Sequence, residues 1–174
     1  MRIVSILLLP VLAAACSNSQ SAQTDDCSAA GLEPDLVDAV PLSGPGVDTN
    51  TGKLAEPGPD GYIVSTTWGI VRPDDASQEK SKELITSIMP TLVSSPGLVA
   101  FQMRTSQSCR SGRTLTVWRD VASMFDFVGS PAHGSAMSQV DVVNEAFKTT
   151  HYTAATADEI SWANAVDHLG DPMH

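Results

Sequence analysis

Four histidines, three cysteines and three tryptophans are the residues of this 174-residue sequence whose side chains most readily do chemistry. His133 stands in Ser130-Pro131-Ala132-His133-Gly134, and His151 in Thr149-Thr150-His151-Tyr152. An imidazole moves protons near neutral pH and ligates metals, so both are candidate acid–base groups. The structural alternatives are a cap or helix-start hydrogen bond for His133 and an outward-facing strand position for His151, whose side alternation leaves open. Trp118 closes the run Thr114-Leu115-Thr116-Val117-Trp118, either as a wall for a flat ligand or as a core or interface aromatic. His168 and His174, with Asp167 and Asp171, offer a weak metal-ligand spacing at a tail. Gly-x-Ser-x-Gly, His-Glu-x-x-His and Cys-x-x-Cys do not occur, which removes the common hydrolase, zinc-protease and thioredoxin patterns.

The cysteines carry an address. Arg2, an apolar run from Ile3 to Leu12 and the small residues Ala13-Ala14-Ala15 read as an export signal over 1–15. The run is well short of the ~20 residues that span a bilayer. Cys16 follows, then Ser17-Asn18-Ser19, an arrangement that resembles a bacterial lipobox with Cys16 as the lipidated N-terminus. Ordinary cleavage after Ala-x-Ala is the alternative. The resemblance implies an envelope protein anchored to a membrane through lipid, with Ser17 pointing to the outer membrane and the periplasm. In that oxidising space Cys27 and Cys109 remain as a pair expected to form a disulfide, with two free thiols as the alternative.

Formal charge is −10, or −11 once the leader with Arg2 is removed. No basic face is available for a phosphate backbone, which excludes nucleic acid as a partner. The apolar fraction of 42% is that of a globular chain. Its distribution is uneven. Ser17 to Asp60 holds no aromatic and no histidine, five of the eleven prolines, and eight acids against Lys53 alone. That composition predicts a solvated tether over 16–60, with a short extended piece at Leu36 to Leu42. Gly46 and Gly52-Lys53 fail as a P-loop, since five residues separate the glycines and Leu54 replaces Ser/Thr.

From Gly61 the pattern is β-α-β-β-α-β. Tyr62 to Val71 predicts a first strand, stopped by Pro73. Asp75 and Gln78 form a capping-box spacing ahead of a helix with Leu84, Ile85, Ile88, Met89 and Leu92 on one stripe, kinked at Pro90. Leu98–Gln107 and Thr114–Arg119 predict two further strands. Asp120 caps a helix carrying Met124, Phe125 and Val128. Ser130 with Pro131 restarts it, and Ala136, Met137 and Val140 continue its buried face. Phe147 to Ala154 is the fourth strand, and Asp158 to Leu169 a last helix. This order is the ferredoxin-like split βαβ: an α+β fold with a four-stranded antiparallel sheet and helices on one face, over 61–170 with 171–174 as a tail. The other face stays apolar and needs a cover, which a homodimer packing two sheets together would supply.

The stretch Leu115 to Phe127 resembles the dimeric α/β-barrel superfamily, and within it the antibiotic-biosynthesis-monooxygenase-like (ABM-like) domains, whose strand ends in Ser/Thr-x-Trp before an aromatic-bearing helix. Phe127 to Met137 resembles the Phe-x-x-x-x-x-His-x-x-Ala-Met helix of spheroidene-monooxygenase-like relatives. The likeness covers about 110 residues, a usual domain size, and implies a small apolar or aromatic ligand. Trp118 would shape its pocket and His133 or His151 would move protons. Cofactor-free relatives commonly use a first-strand Asn, but this strand has only Ser65, Thr66 and Thr67, which leaves their role to hydroxyls or His151. The haem-degrading pattern finds Phe127 and Met137 where it needs Trp and His. Relatives similar at His133 are associated with haem, so the expected cofactor is none or haem, with His133 as its ligand. Three functions follow: a monooxygenase-like oxidoreductase, a binding module without turnover, or a scaffold lipoprotein.

Overall fold

The computed structural model describes residues 27–170; the leader, Cys16, Asp171 and His174 lie outside it. Five strands form one antiparallel sheet: β1 (Val37–Ser43), β2 (Tyr62–Val71), β3 (Leu98–Ser106), β4 (Ser111–Trp118) and β5 (Asn144–Ala154), in the order β1-β3-β4-β2-β5. Strands β2 to β5 follow the ferredoxin-like order, with β1 added beside β3, and the sheet is open. Helix α1 (Asp75–Ser94) crosses between β2 and β3. Between β4 and β5 run α2 (Val121–Val128), α3 (Pro131–Met137) and α4 (Val140–Val143), and α5 (Trp162–Gly170) ends the described chain.

The helices start where side chains satisfy their open amides. Asp120 accepts from the Ser123 amide and Ser130 from the His133 amide, with Pro131 at the first position of α3. The cap of α1 is Asp74, not Asp75, and α1 continues through Pro90 to Ser94. One face of the sheet packs Ile63, Leu98, Phe101 and Trp118 against Leu92 of α1 and Met124 of α2, with Ile88, Met89 and Phe127 at the margin.

The opposite face differs from expectation in three ways. The sheet has five strands, because β1 pairs along β3. Helices lie on both faces, since Trp162 and Ala165 of α5 pack on Tyr62, Val64, Tyr152 and Ala154. And the segment expected to be a solvated tether is packed from residue 27 onward. Cys27 and Cys109 are bridged across 82 residues of sequence. Glu33 is fully buried against Arg113, its Oε2 2.7 Å from Nε, while its Oε1 accepts from Ser111 Oγ (2.6 Å) and Trp68 Nε1 (3.0 Å). Burial raises the Glu33 carboxyl's pKa, but the hydrogen bonds from Arg113 and Ser111 outweigh it and hold the group below its ordinary value. Arg113 Nη2 also donates to the carbonyls of Ser28 and Gly31. Further along, Gly44 and Gly46 lie so close to the Val99 backbone that a Cβ on either would come within 2.6 and 2.8 Å of Val99 atoms. Composition missed this segment because one disulfide and one buried ion pair hold it where apolar area does not.

Candidate functional site

Between the sheet and α1–α4 lies a cavity of about 600 Å³. Strand register builds its floor. One rung reads Phe101, Thr116, Ser65 and His151, and the next Met103, Thr114, Thr67 and Thr149. The following rung reads Thr105, Gly112, Gly69 and Phe147, where Gly112 leaves open space above it and Asn144 Oδ1 and the Phe147 ring close over Gly69. The floor is thus hydroxyl-bearing at its centre. The roof is aliphatic: Leu84, Ile85, Ile88 and Met89 of α1 face it, and Phe125, Val128 and Met137 border it. Phe125, Val128 and Met137 were expected on a buried stripe but are 53%, 37% and 37% exposed, because the helices stand off the sheet and these side chains rim the opening.

All three expected site residues line this cavity. Trp118 is fully buried at its inner end, with Nε1 donating to Thr116 Oγ1 at 2.9 Å. Its ring stacks on Phe127 at 5.4 Å, and Phe127 meets His133 edge-on at 5.1 Å. Trp118 and His133 therefore bracket one aromatic. His151 points to the cavity side of β5, where it is exposed and meets Phe125 edge-on at 5.7 Å. His133 Nδ1 lies 3.0 Å from the Val128 carbonyl, which can only accept, so Nδ1 carries the hydrogen and Nε2 is left as a base. Burial lowers the His133 pKa, and the Val128 carbonyl only partly offsets it, which keeps the ring neutral at physiological pH.

From the sequence the first-strand hydroxyls stand only in place of an Asn, and the lining adds Thr114, Thr116, Thr149 and Asn144, which the sequence does not single out. The signal was present in the alternation Thr114-x-Thr116-x-Trp118, which puts polar residues on the face that also carries Trp118. His168 has another role: it stacks on Tyr152 at 4.0 Å on the far face, and no group of metal-ligating side chains occurs among the described residues. A shallow surface concavity along residues 45–56 contains no histidine or aromatic.

Haem fits this lining poorly. His133 Nε2 could meet an iron, but haem brings two carboxylates, and the only cationic residue of the lining, Arg113, turns its guanidinium to Glu33 on the other face.

No protein-family model and no curated protein sequence matches the chain. Solved structures do match. A candidate monooxygenase from Fusobacterium nucleatum superposes with a TM-score of 0.50 at 15% identity, over 56% of this chain and 44% of that one. Rv0793 from Mycobacterium tuberculosis superposes with a TM-score of 0.50 at 12% identity, over 55% of this chain and 96% of that one. The fold is shared with both. An antibiotic biosynthesis monooxygenase matches with a TM-score of 0.48 at 9% identity, over 54% of this chain and 99% of its own. At these identities the likeness is one of fold, and the chain spans less than half the length of the Fusobacterium protein.

Proposed function

We propose that this protein is an envelope lipoprotein whose ABM-like domain binds a small neutral aromatic in the cavity and oxidises it in a monooxygenase-like reaction. The observation that carries the reading is the cavity itself: a largely apolar space with a stacked aromatic wall and a neutral imidazole, His133, whose free nitrogen is a base. For a phenol with an open ring carbon the balance is simple. Phenol plus dioxygen gives quinone plus water: one oxygen atom enters the ring, and the other leaves as water with the phenolic hydrogen and the hydrogen of the oxygenated ring carbon. His133 takes the phenolic proton, so the ring enters as the more electron-rich phenolate. His151, at the mouth, exchanges protons with solvent. Trp118 and Phe127 set the depth to which a ring enters.

Cys16 is the lipidation site in this reading, and the chain faces the periplasm from the outer membrane. Incorporation of labelled palmitate, lost in Cys16→Ser, tests the anchor separately from the cavity. A homodimer would have to meet through the helical face or the β5 edge, because the sheet face expected to pair is covered by the chain's own α5 and residues 27–60.

Gly112→Val tests the cavity. A Cβ at Gly112 meets no atom within 4 Å, so a side chain there starts into the open cavity. Fluorescence titration with a naphthalene probe should give saturable binding to wild type and binding at least tenfold weaker in Gly112→Val. No binding to wild type would remove the site. A binding module without turnover would pass this test and fail the oxidation assay described below.

A further inference from the structure

We propose that the cavity takes a ring that carries an aliphatic chain, with the ring at its Trp118 end and the chain laid under the first half of α1. The inference rests on the cavity being the binding site and adds what the ligand carries beyond its ring. Length is the first observation. Along β2 the lining runs from Ser65 to Val71, about 20 Å at the rise of a strand. A ring seated beside Trp118, Phe127 and His133 fills only the inner part of that run. The whole space of about 600 Å³ is that of a drug-sized ligand.

Helix α1 supplies the second observation. Its inner stripe is Leu84, Ile85, Ile88, Met89 and Leu92, yet Leu92 is the one buried residue of the helix. The helix leaves β2 after Val71 and delivers the polypeptide to Leu98, which pairs with Trp118. Its second half therefore lies over the Trp118 end, where Leu92 packs among Ile63, Phe101 and Trp118, with Ile88 and Met89 beside it. Its first half lies over the Gly112 end, where a Cβ on the strand would meet nothing within 4 Å. Leu84 and Ile85 line the cavity there, Ile85 is exposed, and Val71, Val140 and Val143 form the far wall. Polar groups are sorted to the other end, where Ser65, Thr116 and His133 stand near the ring position. Asn144, opposite Val71, already spends an Nδ2 hydrogen on the Val140 carbonyl at 3.0 Å. No Asp, Glu or Lys lines the cavity and the Arg113 guanidinium turns away, so a charged chain would be desolvated without a partner. Methylenes that displace water from this aliphatic roof gain contacts that the sheet beneath it does not make. The gap is continuous with the ring position, which makes a chain on the same molecule its occupant.

The test is a chain-length series titrated against the full-length protein under argon at neutral pH. The probes are 2-naphthol, its 6-ethyl, 6-butyl, 6-hexyl and 6-decyl homologues, and the 6-(2-methoxyethyl) compound, which matches the butyl chain in length but carries an ether oxygen. Affinity should rise about two- to fourfold per methylene up to the hexyl chain and level off before the decyl chain, when the far wall is reached. The ether should bind about tenfold more weakly than its butyl isostere. Leu84→Asn and Ile85→Asn, both outside the buried core, should each cut the hexyl-to-naphthol affinity ratio about fivefold or more. No gain on lengthening, a gain that continues undiminished through the decyl chain, or a ratio unmoved in both variants overturns the chain subsite while the ring site stands. Failure of 2-naphthol and of every homologue overturns the cavity reading and this inference together.

Discussion

His133 combines a committed Nδ1 hydrogen with a bare Nε2 in a half-buried setting, and that combination has a pH signature. Its folded pKa lies below the ordinary histidine value, so the neutral ring persists to lower pH than in the unfolded chain. Protonation removes the base, and binding of a hydroxyl-bearing probe should therefore hold at neutral pH and decline only at a pH below the ordinary histidine range. The sign for stability is the same: acid that charges this imidazole favours the unfolded chain, where the charge is better solvated. An acid decline that is the same in wild type and His133→Phe would remove His133 from the site. Glu33 gives a second prediction. It and Arg113 are both fully buried, so Glu33→Ala strands a guanidinium and should cost about 3–5 kcal/mol in urea unfolding. His133 and Trp118 were legible in the sequence because their types and motif are rare. Glu33 was not: one more acid in an acidic stretch reads as solvated until its partner, 80 residues on, is seen beside it.

Elements turn these side chains into a site. Register alone decides that His151 faces the cavity and Tyr152 the far core, a choice alternation could frame but not make. The hydroxyl rungs arise the same way, from Thr114 and Thr116 of β4, Ser65 and Thr67 of β2 and Thr149 of β5 falling on one face of the sheet. The break between α2 and α3 is what aims His133. Ser130 caps α3 through the His133 amide at 3.3 Å, and Pro131 holds the first turn. Ser130→Ala should therefore cost about 1 kcal/mol of stability, and it should weaken probe binding as well, because the capped amide belongs to the cavity histidine. A stability loss with unchanged binding would show that the cap serves the helix alone. The order of elements from Gly61 onward was readable from periodicity and punctuation. Strand β1 was readable only as an extended piece, since Val37–Ser43 is mostly exposed and its reason to be a strand is the free edge of β3.

At the level of the whole molecule, the chain closes its own second face. The homodimer was expected because an apolar sheet face stood open. Here α5 covers one part of that face, and the segment from Cys27 covers the region around Trp68 with Ala29 and Leu169. The disulfide pins this cover. Opening it by Cys27→Ser with Cys109→Ser frees an 82-residue loop, a change of about 4–5 kcal/mol in the chain-entropy view. The double variant should unfold at lower urea. In sedimentation it should associate more than wild type, as the cover lifts from Trp68. Acid should loosen the same end. Asp35, held down to about 2 by the hydroxyl of Ser106 and the amide and hydroxyl of Ser108, ties the cover to the end of β3, and that tie is lost as pH falls from about 4 toward 2. Oxidative chemistry in the cavity is what most needs measuring. The most direct measurement is dioxygen uptake with a dihydroxynaphthalene by wild type, His133→Ala and Gly112→Val. The account predicts protein-dependent uptake of one dioxygen per ring oxidised, lowered about 10²-fold or more in His133→Ala and abolished in Gly112→Val. Uptake no faster than without protein, or equal in all three, would contradict it.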